Sequence, residues 1–101
     1  MTFRVVIEEE AERELSEGVD FYDKREPGVG QRFAREVREV FRKVCDHPER
    51  FPRASRLTTK AKILGWPYSV YFTINFETEE VVIVSVWHGK RNPAELRRRL
   101  K

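Results

Sequence analysis

Eight side chains in the second half of this chain have the types needed to handle a phosphate. Arg53, Arg56, Lys60 and Lys62 fall within ten residues of each other. Tyr71 follows, then His88, Lys90 and Arg91 close together. Gathered at one place, such a set could cleave RNA. One group would deprotonate a 2′-hydroxyl, a cation would steady the charge on the phosphorane, and another would protonate the leaving oxygen. Histidine is the natural proton carrier near neutral pH. The catalytic candidates on this reading are Arg56, Lys60, Lys62, Tyr71, His88 and Arg91. The plain alternative makes the lysines a solvated sheet edge and His88 a strand-end residue bonded to backbone.

Other chemistry finds little purchase. The two histidines and one cysteine are scattered, without metal-ligand spacing. Gly28-Val29-Gly30 lacks the rest of a phosphate-binding fingerprint. Cys45 lies on an apolar helical stripe and reads as a small hydrophobe of the core. No cofactor is expected.

Two β-rich runs must position the basic and aromatic set. Val70 to Phe76 and Val81 to Trp87 are dense in β-branched and aromatic residues. Glu77-Thr78-Glu79-Glu80 between them reads as a hairpin turn. The second run is apolar at successive positions, as in a central strand covered on both faces. It stops at His88, so a stiff strand delivers an imidazole and two cations to one end of the sheet. Leu57 to Gly65 reads as a more polar strand, with Leu57, Thr59, Ala61 and Ile63 on one face. Its lysines would blunt a sheet edge.

The first half supplies the cover. Alternation predicts a first strand over about residues 2 to 8. Ala11, Leu15, Val19 and Tyr22 mark one face of a helix that stops before Pro27. Its glutamates, Glu8 to Glu14, suit a helix N-terminus. Phe33, Val37, Val40, Phe41 and Val44 mark a second helix over Val29 to Cys45. Together they form a helical hairpin laid on one side of the sheet. A short C-terminal helix follows, with Asn92 as N-cap, Pro93 in the first turn, Leu96 and Leu100 as anchors, and Arg97, Arg98, Arg99 and Lys101 near its end. The expected core includes Phe33, Val37, Phe41, Val70, Phe72, Val84 and Val86.

With 101 residues, 40% hydrophobic and 37% charged, the chain reads as one globular α+β domain, residues 1–101. No apolar run approaches the ~20 residues of a membrane span. No signal peptide is visible, and one cysteine makes no internal disulfide, so a cytoplasmic protein is expected. The net charge of +3 is mild. Acid leads and base trails, which predicts one distinctly positive surface.

Four motifs in order resemble the RelE/ParE superfamily of type II toxin–antitoxin toxins. They are Phe21-Tyr22-Asp23 with Pro27-Gly28-Val29-Gly30-Gln31-Arg32-Phe33, His47-Pro48-Glu49-Arg50-Phe51-Pro52, Trp66-Pro67-Tyr68-Ser69-Val70-Tyr71, and Val86-Trp87-His88-Gly89-Lys90-Arg91-Asn92-Pro93. The resemblance implies an N-terminal strand, a helical hairpin, a three-stranded antiparallel meander and a short C-terminal helix. It also implies neutralisation by a cognate antitoxin protein. Two targets follow from it. ParE-like members, the plasmid-stabilisation branch, poison DNA gyrase. RelE-like members cut mRNA on the ribosome as metal-independent endoribonucleases. The long hairpin with its P-G-V-G turn and the modest charge lean to the ParE-like branch. Gly89 follows His88 where several ribonuclease toxins carry a tyrosine near the end. A superfamily member that has lost toxicity is a third possibility.

Overall fold

The computed structural model describes residues 2–100. In chain order it comprises β1 (Arg4–Ile7), α1 (Glu9–Arg25), α2 (Val29–Asp46), a 3-10 turn (Pro48–Arg50), β2 (Thr59–Lys62), β3 (Tyr68–Asn75), β4 (Glu80–His88) and α3 (Pro93–Arg99). The four strands form one sheet in the order β1-β4-β3-β2. β2, β3 and β4 are an antiparallel meander, and β1 pairs in parallel with the start of β4. This is the α+β arrangement that the sequence predicts. β1 and β2 are shorter than expected. The chain around β2 leaves extended pairing early, so Leu57 is 65% and Leu64 79% exposed, while Thr59, Ala61 and Ile63 on the face assigned to Leu57 are buried. Phe76 likewise falls in the β3–β4 turn and is exposed. Lys101 lies outside the described residues.

The core forms where the hairpin covers the sheet. Phe33, Val37 and Val44 of α2 are fully buried with Val70 and Phe72 of β3 and Val81, Ile83 and Val86 of β4. Phe41 and Val84 are at most 7% exposed. Tyr22, Phe33, Trp66 and Tyr68 pack their rings together at centroid separations of 4.7–6.4 Å. Cys45 is buried, and that burial raises its thiol pKa, which leaves it a packing residue.

The turn between the helices has a specific chemistry. Gly28 sits at φ +94°, a region open to glycine at little cost. Asp23, from the last turns of α1, accepts hydrogen bonds from the backbone N–H groups of Gly28 (3.2 Å) and Gly30 (2.7 Å). It therefore caps the N-terminus of α2 from outside that helix. Gly30 presses on α1 so closely that a Cβ there would stand 2.4 Å from the Val19 carbonyl oxygen. The aromatic-Tyr-Asp and P-G-V-G segments thus form one joint.

This joint yields a graded prediction for urea unfolding. Gly30→Ala should lose about 1–3 kcal/mol or more, because backbone must part to admit the methyl group. Asp23→Ala should lose about 1 kcal/mol, the usual cost of a helix cap. Equal and negligible effects of both would contradict the joint.

Candidate functional site

The sheet divides the predicted set. Side chains alternate across a strand, so the register assigns each residue a face. Val70 and Phe72 point to the core, which puts Ser69, Tyr71 and Thr73 on the opposite face. Lys60 pairs with Tyr71 and Lys62 with Ser69, so both lysines stand on that face as well. His88 pairs with Tyr68 and lies on the core side. The expected single constellation is two groups at two places.

The first group lines a cleft of about 440 Å³ between the 54–58 loop, the outer face of β2 and β3, and α3. Arg56, Lys60 and Tyr71 converge there, joined by Arg97. The Lys60 ammonium lies 5.9 Å from the centre of the Tyr71 ring. Leu57, Leu96 and Leu100 supply apolar wall. The loop is stitched to itself. Ala54 and Ser55 donate backbone N–H bonds to the Thr58 carbonyl at 2.9 and 3.1 Å, and the Ser55 and Thr58 hydroxyls lie 2.6 Å apart. Lys62 is exposed beside this cleft without lining it.

The second group sits at the end of β4, against α1. His88, Arg91, Tyr68, Glu14, Glu17 and Phe21 border a smaller hollow of about 210 Å³. The His88 Nδ1 accepts the backbone N–H of Lys90 at 3.0 Å, and its ring meets that of Tyr68 edge-on at 4.9 Å. Backbone bonding of His88 is what the plain alternative expected. Burial, and secondarily Tyr22, raises the pKa of the Tyr68 phenol. Tyr68 thus stays a neutral hydroxyl.

Arg91 is already committed. Its guanidinium stacks 3.8 Å from the centre of the Trp87 ring. It also bonds Glu14 at 3.2 Å and stands 3.6 Å from Glu95. Glu14 is the residue that the sequence reading missed. Grouped there with the acids of a helix start, it is 4% exposed. Its carboxylate accepts from the Ser85 hydroxyl (2.9 Å), the Val86 N–H (3.0 Å), Arg91 (3.2 Å) and Arg99 (2.8 and 3.3 Å). Arg99 also donates to the Val84 carbonyl. One signal was available: Glu14 lies three residues after Ala11 and four before Gly18, on the buried stripe of α1.

Among the described residues no group of three or more His, Cys, Asp or Glu side chains could hold a metal ion, and no helix is long and apolar enough to cross a membrane.

A sequence model described as "ParE toxin of type II toxin-antitoxin system, parDE" matches residues 5–93. The chain belongs to this family of type II toxins. Solved structures share its fold. A chain of the chromosomal ParDE toxin–antitoxin system from P. aeruginosa superposes with a TM-score of 0.75 at 15% identity, over 86% of this chain and 96% of that one. The isolated E. coli RelE toxin gives 0.65 at 17% identity, over 98% and 99%. A chain of the RelBE2 toxin–antitoxin complex from Mycobacterium tuberculosis gives 0.62 at 24% identity, over 87% and 99%. A search of curated proteins finds no match.

The Glu14 cluster makes a stability prediction. Breaking a buried ion pair costs about 3–5 kcal/mol. Glu14→Ala should lose on the order of 3 kcal/mol, the lower end of that range, because the two arginines can turn towards water. Trp87 fluorescence should report a wetter indole in that variant. Arg91→Ala, at the exposed rim of the cluster, should lose distinctly less in the same unfolding assay. Equal losses would remove Glu14 from its central place.

Proposed function

We propose that this chain is the toxin of a type II toxin–antitoxin pair, that it inhibits DNA gyrase by surface contact, and that a cognate antitoxin protein holds it inactive. The observation that carries this reading is the separation of His88 from Lys60 and Tyr71 by the thickness of the sheet. RNA cleavage needs a proton acceptor, a proton donor and cations at one phosphate. Here the imidazole is on the core side with one nitrogen held by backbone, and the guanidinium that borders the same hollow, that of Arg91, is paired with Glu14. A surface poison needs none of that convergence. It needs a rigid sheet and exposed elements, which this fold supplies. The match to the ParE toxin family supports the same branch. The ribosome-dependent ribonuclease keeps one observation in its favour, the convergence of Arg56, Lys60 and Tyr71 in the open cleft.

The test is expression without antitoxin. Wild-type cells should accumulate trapped gyrase–DNA complexes and DNA-damage signalling. His88→Ala, and separately Lys60→Ala with Tyr71→Phe, should stay toxic, where loss of a catalytic acid–base group would cost about 10²–10⁴ in rate. Codon-phased mRNA cuts that vanish in either variant would establish the ribonuclease instead. Harmless expression of the intact, folded chain would identify a member that has lost toxicity.

A further inference from the structure

The two edges of the sheet are finished differently. At the β2 edge the chain covers itself. The Lys60 N–H bonds the Pro52 carbonyl at 3.0 Å, Arg53 bridges Thr59, and Lys60 and Lys62 stand on the strand. Covering chain and lysines are how sheets blunt an edge. β1, at the other edge, carries no lysine or proline. It keeps an unbroken register with β4, and its Val5 and Val6 are each 42% exposed. The bonds at its two ends show which way its backbone groups point. The Arg4 N–H goes to the Glu79 carbonyl and the Glu8 N–H to that of Ile83, both on the β4 side. Backbone groups of successive strand residues point to opposite sides, so those of Arg4, Val6 and Glu8 face β4. Those of Val5 and Ile7 face outward, and no turn, loop or cap among the described residues bonds to them.

We infer that this edge pairs with the same edge of a second copy of the chain, antiparallel, with Val6 on the two-fold axis. In that register Val5 of each copy lies opposite Ile7 of the other, and their outward N–H and C=O groups exchange hydrogen bonds in both directions. Val6 meets its own counterpart. On the same face Arg4 comes opposite Glu8 of the second copy. The Arg4 side chain holds Glu80 at 3.1 Å yet is 72% exposed, and Glu8 is exposed as well. Other registers fit less well. Centred on Val5, the ladder would need the Phe3 N–H, which already bonds the Cys45 carbonyl at 2.9 Å, and would set Arg4 opposite Val6. Centred on Ile7, it would need Glu9, where α1 begins. A second copy suits the edge because its charge pattern is self-complementary: a cation leads and a carboxylate closes. Opposite charges across a strand pair favour it and like charges oppose it. Directly opposite residues share a face, so both helical hairpins lie on one side of the joined sheet.

The full chain, sedimented over a range of concentrations, should show a monomer–dimer equilibrium. Val5→Pro removes an outward N–H that the single chain does not use, and proline is tolerated at such an edge position. It should weaken the dimer by about 30-fold, the loss of one hydrogen bond per copy, while circular dichroism of the variant matches wild type. Arg4→Glu and Glu8→Arg should each weaken the dimer, and mixing the two variants should restore it, since every carboxylate then faces a cation. Val6→Cys should form an intermolecular disulfide on mild oxidation, because its Cα would stand about 4.5 Å from its counterpart, within bridging range. Val5→Cys, opposite Ile7, should not. Cys45 is buried and takes no part. A chain that stays monomeric at every concentration would overturn the pairing. So would a dimer that survives Val5→Pro, or one that crosslinks equally through either cysteine. Exchange protection of the Val5 and Ile7 amides that appears only with the product of the adjacent reading frame would give the edge to that protein and exclude the second copy.

Discussion

One buried carboxylate decides how the two ends of this chain meet. β1 pairs with β4 only as far as Ile7, and Glu8 donates its N–H to Ile83 as the strand ends. Beyond that point β4 carries backbone groups without a strand beside them. Glu14 accepts the Val86 N–H, and Arg99 covers the Val84 carbonyl. Side chains from α1 and α3 thus finish an edge that backbone leaves open. An unsatisfied buried backbone group is costly, and so is an unpaired buried charge. Each arrangement removes the other's cost. Arg91 and Arg99 neutralise Glu14, and Glu14 holds both arginines, and with them α3, against the sheet.

That tie constrains everything near the C-terminus. α3 has few apolar anchors: Leu96 is buried, and Leu100, just past its end, is only half-buried. Asn92 caps it by accepting the Ala94 N–H at 2.9 Å, yet a seven-residue helix is too short to persist by propensity. Its position comes from Leu96, Arg99 and the Trp87 ring beneath the guanidiniums. Because α3 is one wall of the open cleft, the Glu14 cluster on one side of the sheet sets the shape of a surface on the other.

The same economy explains where chemistry is and is not assembled. The β-bulge between Tyr71 and Phe72 leaves Val84 outside the regular pairing. Bulges shift which side chains share a face. Here Ile83 and Val86 both reach the core, while Ser85 turns its hydroxyl to Glu14. Cations that could have gathered at a phosphate are divided: Arg91 stabilises the fold, and Arg56, Lys60 and Arg97 remain on the open face.

The element order, the helical hairpin, the hairpin turn and most of the core could be read from the residues alone. Those features rest on short-range periodicity, and Phe33, Phe41, Phe72 and Val84 carry it plainly. The capping of α3 was legible too, because a cap spans only two or three residues. The fate of Glu14 and Arg99, which lie 85 residues apart, was fixed by long-range packing. A buried carboxylate and a solvated one look identical until the strand edge they serve is in place. Long-range packing also decided that His88 and Tyr71 face opposite ways. Strand alternation was legible within each run, but the relation between the runs depends on pairing register and on one bulge. The side of a sheet on which a residue stands is set by its partners across the strand, and those are chosen only when the chain folds.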